Sequence, residues 1–152
     1  RVLSNEETLN YTDELFINNQ KYSCHFNGKI DRIDETANGI RLIDYKTGFV
    51  SQDNLSISNI SSVRSKDKAL QLFFYGLLYS KNNPDCDKFS ASIITLNNTV
   101  NPTQNLKFNK SLTISSMDIS SFREELILII QEICNTEIPI FHQPESKYCQ
   151  FC

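Results

Sequence analysis

The segment "GKIDRIDETANGIRLIDYKTG", residues 28–48, alternates apolar and polar residues on both sides of a short polar interruption. Such alternation is typical of β-strands, and a cluster of Asp, Asn and Gly is typical of a turn. We therefore predict a hairpin with strands over 20–33 and 40–46 and a turn over 34–39. This hairpin places Asp31 and Asp44 at comparable heights on neighbouring strands.

The second strand ends in the hexapeptide "IDYKTG", residues 43–48. Side chains two residues apart on a strand share a face, so Asp44 and Lys46 point the same way. With Asp31 they bring two carboxylates and one ammonium group together. Neighbouring buried carboxylates repel unless a cation lies between them, and hard oxygen ligands suit Mg²⁺ or Mn²⁺. A lysine beside such an ion can hold an attacking water, which suits metal-assisted hydrolysis of a phosphodiester.

The same three residues also have a purely structural interpretation. A cross-strand ion pair between lysine and aspartate would satisfy their charges without any metal, and Asp-x-Lys occurs on strands by chance. From these residues alone the ion pair is the better supported of the two interpretations.

Outside the hairpin, the pattern predicts a mixed sheet flanked by helices, an α+β arrangement within the α/β class. Further strands are predicted over 11–17, 88–96 and 106–114, the last at a sheet edge, and helices over 67–80 and about 119–135. Asn18 and Asn19 are predicted to form a turn. The Ser- and Asn-rich segment 51–66 has no period, so we predict a mobile loop there.

The first predicted helix has an apolar face that repeats at helical spacing, formed by Ala69, Leu72, Phe73, Gly76 and Leu77. Gln71 and Tyr75 lie four residues apart beside that face. An amide and a hydroxyl there could orient Lys46, metal-bound water or a phosphate. The alternative, favoured by these two residues alone, is a solvent-exposed Gln71 and a core Tyr75.

The last predicted helix has a capping-box pattern at Ser121 and Glu124. Its predicted buried stripe consists of Ile119, Phe122, Leu126, Ile129, Ile130 and Ile133.

The composition places the chain among ordinary globular domains. Its 152 residues suffice for one domain, predicted over 1–152, and 39% of them are hydrophobic. The net charge of −3 argues against a strongly basic surface that binds nucleic acid.

No apolar run approaches the roughly 20 residues of a membrane span, and no signal peptide is evident, so we predict a cytoplasmic protein without membrane contact. The start without Met and the end at "KYCQFC" are interpreted as cut edges of a longer chain.

Three pieces of sequence occur in order: "GKIDRID" (28–34), "LIDYKTG" (42–48) and "QLFFY" (71–75). Together they resemble the PD-(D/E)xK nuclease superfamily, and within it the exonuclease domain of the RecB/AddB type. The resemblance is strict over 28–75 and loose over the remaining elements. It implies a restriction-endonuclease-like core and a hydrolase that cleaves DNA with Mg²⁺ or Mn²⁺.

The resemblance also implies a role for each matching residue. Asp31 and Asp44 would ligate the metal, with the backbone carbonyl of Tyr45 as a third ligand. Lys46 would activate or position the nucleophilic water. The supporting residues would be Gln71 and Tyr75.

Three further residues bear on the family pattern. Relatives often carry a glutamate near the first strand, and both Glu6 and Glu7 are candidates. His25 matches no family position and is expected to be a structural or surface histidine.

Five cysteines without a secretory signal predict free thiols rather than a disulfide framework. Cys149 and Cys152 have C-x-x-C spacing, and the resemblance implies that such tail cysteines hold a [4Fe–4S] cluster in the parent protein. The tail 139–152 would then be part of an incomplete cluster motif. We expect no cluster in this chain, because further cysteine ligands are lacking. A zinc site would need a fourth ligand beside these two and His142.

The lysines and arginine around the start of the first helix are candidate contacts to DNA phosphates: Arg64, Lys66 and Lys68. Lys107 and Lys110, on the predicted edge strand, are expected to serve solubility instead.

The resulting hypothesis is the nuclease domain of a larger helicase-nuclease that acts in DNA repair or recombination. Its partners would be DNA and the remainder of that polypeptide or its helicase subunit. One alternative is a non-catalytic DNA-binding or scaffold module with a nuclease-like fold. Another is a metal-binding interaction domain organised by the tail cysteines.

Overall fold

The computed structural model describes residues 1–17, 20–97, 100–137 and 139. The predicted turn at Asn18 and Asn19 and the tail residues His142, Cys149 and Cys152 lie outside this described part. The strands are β1 Val2–Ile17, β2 Gln20–Thr36, β3 Gly39–Lys46, β4 Ser56–Ile57, β5 Lys88–Thr95, β6 Thr103–Asn105, β7 Lys107–Phe108 and β8 Ile114–Ser115. The helices are α1 Asp67–Asn82 and α2 Ser116–Ile133, with short 3₁₀-helices at Asp53–Leu55 and Ile60–Ser65.

The central sheet has six strands in the order β1-β2-β3-β5-β6, with β8 paired to β5. β3 and β5 run parallel, and the other pairs in this sheet are antiparallel. Helix α1 makes the crossover between the two parallel strands, as such a connection requires. The prediction of a mixed sheet flanked by helices is therefore confirmed. The β2–β3 hairpin is confirmed too, but its turn is shorter than the predicted 34–39, because pairing continues to Thr36 and Gly39.

Helix α1 packs on the sheet through the predicted face, whose five residues are all buried. Their partners in the core include Ile30, Leu42 and Ile93. Gly76 allows the closest approach, because a Cβ built there would lie 2.1 Å from Cζ of Phe89. Phe73 also stacks on Phe122 of α2, with ring centroids 5.3 Å apart, so the second helix packs against the first.

The segment 51–66 differs from its prediction, since it is ordered by packing. Leu55, Ile57 and Val63 are buried in the core. They sit in two short 3₁₀-helices and in β4, which pairs in parallel with β7. Elements this short present no extended apolar period, so the sequence pattern gave no sign of them.

The single edge strand predicted over 106–114 is also wrong. β7 covers only two residues, and a tight turn follows in which Asn109 and Lys110 have φ of 49° and 68°. The chain pairs again at β8, only two residues long. The reversal interrupts the alternation because both turn residues adopt left-handed backbone.

Helix α2 begins earlier than predicted, and its capping box is formed by Ser115 and Asp118. Ser121, predicted as the cap, lies inside the helix and donates to the carbonyl of Met117. The predicted stripe is buried at Ile119 and Phe122 but not at its end, where Ile133 is 77% exposed.

Candidate active site

The two strands of the central hairpin separate at Asp31. The backbone ladder pairs Arg32 with Ile43, and the next pair in this register would be Asp31 with Asp44. Instead, Oδ2 of Asp31 accepts a hydrogen bond of 2.7 Å from the backbone N–H of Tyr45. The Asp31 carboxylate thus accepts the hydrogen bond that a backbone carbonyl of β2 would otherwise accept. This bond holds the carboxylate at the point where β2 and β3 stop pairing. The two aspartates lie at comparable heights, as predicted.

Asp44 and Lys46 share one face of β3, and Nζ of Lys46 lies 2.9 Å from Oδ2 of Asp44. The Asp44 side chain is only 3% exposed. Within the described part of the chain this buried oxygen accepts no hydrogen bond of good geometry, and its close polar contact is the charge of the Lys46 ammonium group. Buried carboxylate oxygens are normally paired, and an exception calls for a ligand or a functional reason.

Helix α1 supplies the other side of the site. Nε2 of Gln71 donates to Oδ1 of Asp44 at 3.2 Å and to the hydroxyl oxygen of Tyr75 at 2.8 Å. The four-residue spacing puts both side chains on one stripe of the helix. Gly28 keeps this stripe close to β2, since a Cβ there would lie 2.7 Å from Cδ1 of Leu78 and 3.5 Å from Cε1 of Tyr75. Gln71 is therefore bonded to the site and not simply solvated.

The electrostatics show that the negative charge in this site is incompletely compensated. Burial raises the pKa of Asp44 above its ordinary value, against the opposing effect of Lys46, and the charge of Asp31 raises it further. Burial likewise raises the pKa of Tyr75, and the charges of Asp44 and Asp31 contribute in the same direction. Tyr75 therefore remains a neutral hydroxyl.

These features fit a hard divalent cation. A desolvated carboxylate with a buried oxygen lacking a hydrogen bond, next to a second carboxylate, is stabilised when a cation binds between them. Among the described residues, no group of three or more His, Cys, Asp or Glu side chains could hold a metal. A cation here would therefore rely on Asp31, Asp44 and non-side-chain ligands such as a backbone carbonyl and water.

Comparison with known proteins agrees with this chemistry. The sequence model of the PD-(D/E)XK nuclease superfamily matches residues 3–152. The chain belongs to the PD-(D/E)XK nuclease superfamily. Members of this superfamily are typically nucleases and generally use Mg²⁺ or Mn²⁺, and the six-stranded mixed sheet with its helices is consistent with their restriction-endonuclease-like fold.

No curated protein sequence matches the chain significantly. The crystal structure of SSO0001 is similar at 21% sequence identity, with a TM-score of 0.39. The match covers 97% of this chain and 57% of that one, so this PD-(D/E)XK chain spans little more than half the length of that protein. A superposition this loose supports no argument about function.

The predicted DNA contacts around α1 have separate environments. Arg64 forms ion pairs with Glu125 and Glu132 of α2. Lys66 donates to the backbone carbonyls of Asp53, at 2.7 Å, and Ser56, at 3.0 Å. Both side chains therefore form contacts within the fold, Arg64 to α2 and Lys66 to the segment before it.

Lys68, the third predicted DNA contact, lies in the first turn of α1. Its charge helps to lower the pKa of Asp44, and it donates to Asp67 at 2.9 Å.

The other candidates lie apart from the two aspartates. Glu6 pairs with Lys29 at 2.7 Å on the exposed surface, and Glu7 accepts a hydrogen bond from Ser4. His25 is exposed and lies 2.9 Å from the hydroxyl of Thr12, as expected for a surface histidine.

The sequence interpretation missed an exposed apolar rim beside Lys46. Phe49 is 74% exposed three residues after Lys46, and Leu96 is 64% exposed while its amide donates to the Lys46 carbonyl at 2.9 Å. The sequence feature that could have indicated this rim is Phe49, an apolar residue directly after the Thr-Gly that ends the strand.

Within the described residues, no helix is both long and apolar enough to cross a membrane.

Proposed function

We propose that this chain is a metal-dependent deoxyribonuclease that hydrolyses DNA phosphodiester bonds. The observation that carries the proposal is the pair formed by Asp44 and Lys46, in which a buried carboxylate oxygen beside an ammonium group lacks a hydrogen-bond partner within the described chain. A structural ion pair would be expected to satisfy that oxygen. A site that receives a cation leaves it available.

Each residue of the site has a defined part in this proposal. Asp31 and Asp44 would hold Mg²⁺ or Mn²⁺ together with the backbone carbonyl of Tyr45. The bound ion would stabilise the charge that develops on the phosphate and lower the pKa of a coordinated water. Lys46, which is 27% exposed, can reach the attacking water and hold it in line with the phosphorus.

Gln71 and Tyr75 act through Asp44. The Gln71 amide holds Oδ1 of Asp44 and so fixes the orientation of the carboxylate, including the position of the buried Oδ2. The Tyr75 hydroxyl accepts from Gln71 and thereby fixes the amide. Both are positioning residues in the reaction.

The wider context is proposed on the sequence motifs alone. We assign the chain to the RecB/AddB-type exonuclease domains, as part of a helicase-nuclease of DNA repair or recombination in the cytoplasm. Its partner would be the rest of that polypeptide or a helicase subunit, and Cys149 and Cys152 would serve a [4Fe–4S] cluster in the parent protein. The nuclease domain would extend over 1–152.

A non-catalytic DNA-binding or scaffold module is the second candidate. It is favoured by the lack of a third acidic or histidine ligand among the described side chains. In that case the contact between Asp44 and Lys46 would be structural only.

The decisive experiment compares cleavage of single-stranded and end-bearing duplex DNA by wild-type protein and by Lys46→Met in Mg²⁺ or Mn²⁺. Lys46→Met is expected to lower the cleavage rate by at least about 10²-fold, the usual effect of removing a group that stabilises or positions reacting atoms. Lys88→Met removes an equal charge at the far end of β5 and is expected to keep wild-type activity. Equal cleavage by wild type and Lys46→Met would exclude the proposed role of this site.

A further inference from the structure

A cluster of lysines lies in segments that follow β3, the strand of Asp44 and Lys46. A cavity of about 740 Å³ opens between segment 53–58 and the turn after β7, and three lysines line it: Lys66, Lys107 and Lys110. Asp53, the acidic residue in the lining, is paired with Lys66 at 3.3 Å. The ammonium groups of Lys107 and Lys110 have no ion pair within the described part of the chain. The cavity therefore has an excess of positive charge.

The turn that carries Lys110 is built in an unusual way. Phe108 and Ser111 exchange backbone hydrogen bonds of 3.0 and 2.9 Å, and the two residues between them have φ of 49° and 68°. This is the geometry of a two-residue turn with left-handed central residues, where glycine normally takes the second position. Lys110 occupies that position despite the steric contact of its Cβ. Strained residues of this kind are concentrated at functional sites.

The cavity wall is fixed to the rest of the fold. The amide of Asn109 donates to the carbonyl of Ile57 at 2.9 Å, and Ser56 pairs with Lys107. Lys66 ties the same segment to the start of α1 through the carbonyls of Asp53 and Ser56. The two free lysines are thus held in place by a network of backbone contacts.

The same network connects the cavity to the active site. Lys66 directly precedes α1, and Gln71, early in the same helix, donates to Oδ1 of Asp44 at 3.2 Å. The start of this helix carries Lys66 and Lys68, and Lys66 donates to the carbonyl of Ser56, which pairs with Lys107.

We propose that Lys107 and Lys110 bind successive phosphates of a DNA strand that runs from the active site across this cavity. The inference rests on the proposed nuclease function. It replaces the expectation that these lysines serve solubility. Lys66 shapes the cavity through its backbone contacts, and Lys107 and Lys110 supply the charge that phosphates would neutralise.

The test measures binding of a fluorescein-labelled 30-nucleotide single strand by anisotropy, in EDTA and over a range of salt concentrations. Each phosphate contact contributes about 0.7 to the slope of log K against log salt for a single strand. The double variant Lys107→Ala/Lys110→Ala is therefore expected to lower the slope by about 1.4, twice that value. Lys88→Ala, which removes one charge from the start of β5, should leave the slope unchanged.

Lys110→Gly separates binding from folding. Glycine suits φ of 68°, so this variant should melt at a higher temperature than wild type and yet bind the strand with a slope about 0.7 smaller. An unchanged slope in the double variant, or an equal decrease in Lys88→Ala, would overturn the proposal.

The two proposals can fail separately. If wild type does not cleave DNA but the double variant still shows the reduced slope, the proposed DNA-binding cavity stands and the proposed nuclease activity is rejected. Cleavage by wild type together with an unchanged slope in the double variant would reject the cavity alone.

Discussion

Oδ2 of Asp44 lies 2.9 Å from Nζ of Lys46 on one face of β3, and yet this buried oxygen accepts no hydrogen bond from any described residue. Gln71 holds the other carboxylate oxygen. The site therefore keeps a desolvated negative charge whose nearest compensating group is the ammonium group of Lys46, a costly arrangement in a protein without a ligand. Two consequences follow for stability, one for pH and one for metal ions.

The first prediction concerns the charge of Asp44. Because burial raises its pKa above the ordinary value of 3.8, the folded protein binds a proton more readily than the unfolded chain. In EDTA, this group therefore lowers stability as pH rises from about 3.8 through its folded pKa. Asp44→Asn is expected to melt at a higher temperature than wild type at pH 7.5, and the difference should shrink toward pH 4.

The measurement is the melting temperature of both proteins in EDTA between pH 4 and 7.5. Asp85→Asn, at an exposed position, serves as the control and should follow wild type. A wild-type protein more stable than Asp44→Asn at neutral pH would mean that the contact with Lys46 outweighs the desolvation of the carboxylate.

The second prediction concerns metal binding. A cation that binds only the folded state stabilises it by about 2.7 kcal/mol at a concentration 100 times its Kd. Mn²⁺ or Mg²⁺ should therefore raise the melting temperature of wild type. Asp31→Asn and Asp44→Asn should each lose most of this shift, whereas Asp85→Asn should retain it. A shift of equal size in all four proteins would place the metal elsewhere.

How far the sequence determines these features depends on the range of the interactions. The β2–β3 hairpin and the buried face of α1 were predicted because alternation and helical spacing are repeated over many residues. The juxtaposition of Asp31, Asp44 and Lys46 followed from strand parity alone. The lack of a hydrogen bond to Oδ2 of Asp44 was not predictable in this way, since it depends on how the Lys46 and Gln71 side chains are oriented around the carboxylate.

Other features depend on contacts that no local pattern encodes. The turn at Asn109 and Lys110 lacks the glycine that usually marks it, so the chain was interpreted as one continuous strand. Segment 51–66 is ordered by burial of single apolar residues in the core. The cap of α2 uses aspartate at its third position in place of the glutamate of a typical capping box, and it was overlooked for that reason.

The third prediction tests how closely α1 packs on β5. Gly76→Ala would place a Cβ 2.1 Å from the ring of Phe89, which is itself buried. Overpacking of this kind typically destabilises by about 1–3 kcal/mol, and the higher helix propensity of alanine offsets up to about 1 kcal/mol. Gly76→Ala should therefore be less stable in urea denaturation.

Gly48→Ala is the matched control, because a Cβ at that position meets no atom within 4 Å. Its free energy of unfolding should remain within about 0.5 kcal/mol of wild type. If Gly76→Ala were as stable as Gly48→Ala, the helix would have room to move away from the sheet.

The last prediction concerns the apolar rim beside Lys46. Phe49 is 74% exposed and follows Lys46 by three residues in the chain, so its ring is free to stack on an unpaired base. Stacking on an aromatic side chain contributes about 1–3 kcal/mol per base, so Phe49→Ala should weaken binding of single-stranded DNA by that amount. Paired bases present no free face, and binding of blunt duplex DNA should change less.

Phe16→Ala is the control, because it removes a comparably exposed ring, 64% accessible, at the end of β1, and it should bind like wild type. Anisotropy titrations with both DNA forms measure the difference, and equal losses on single strand and duplex would argue that Phe49 contacts the backbone instead of a base.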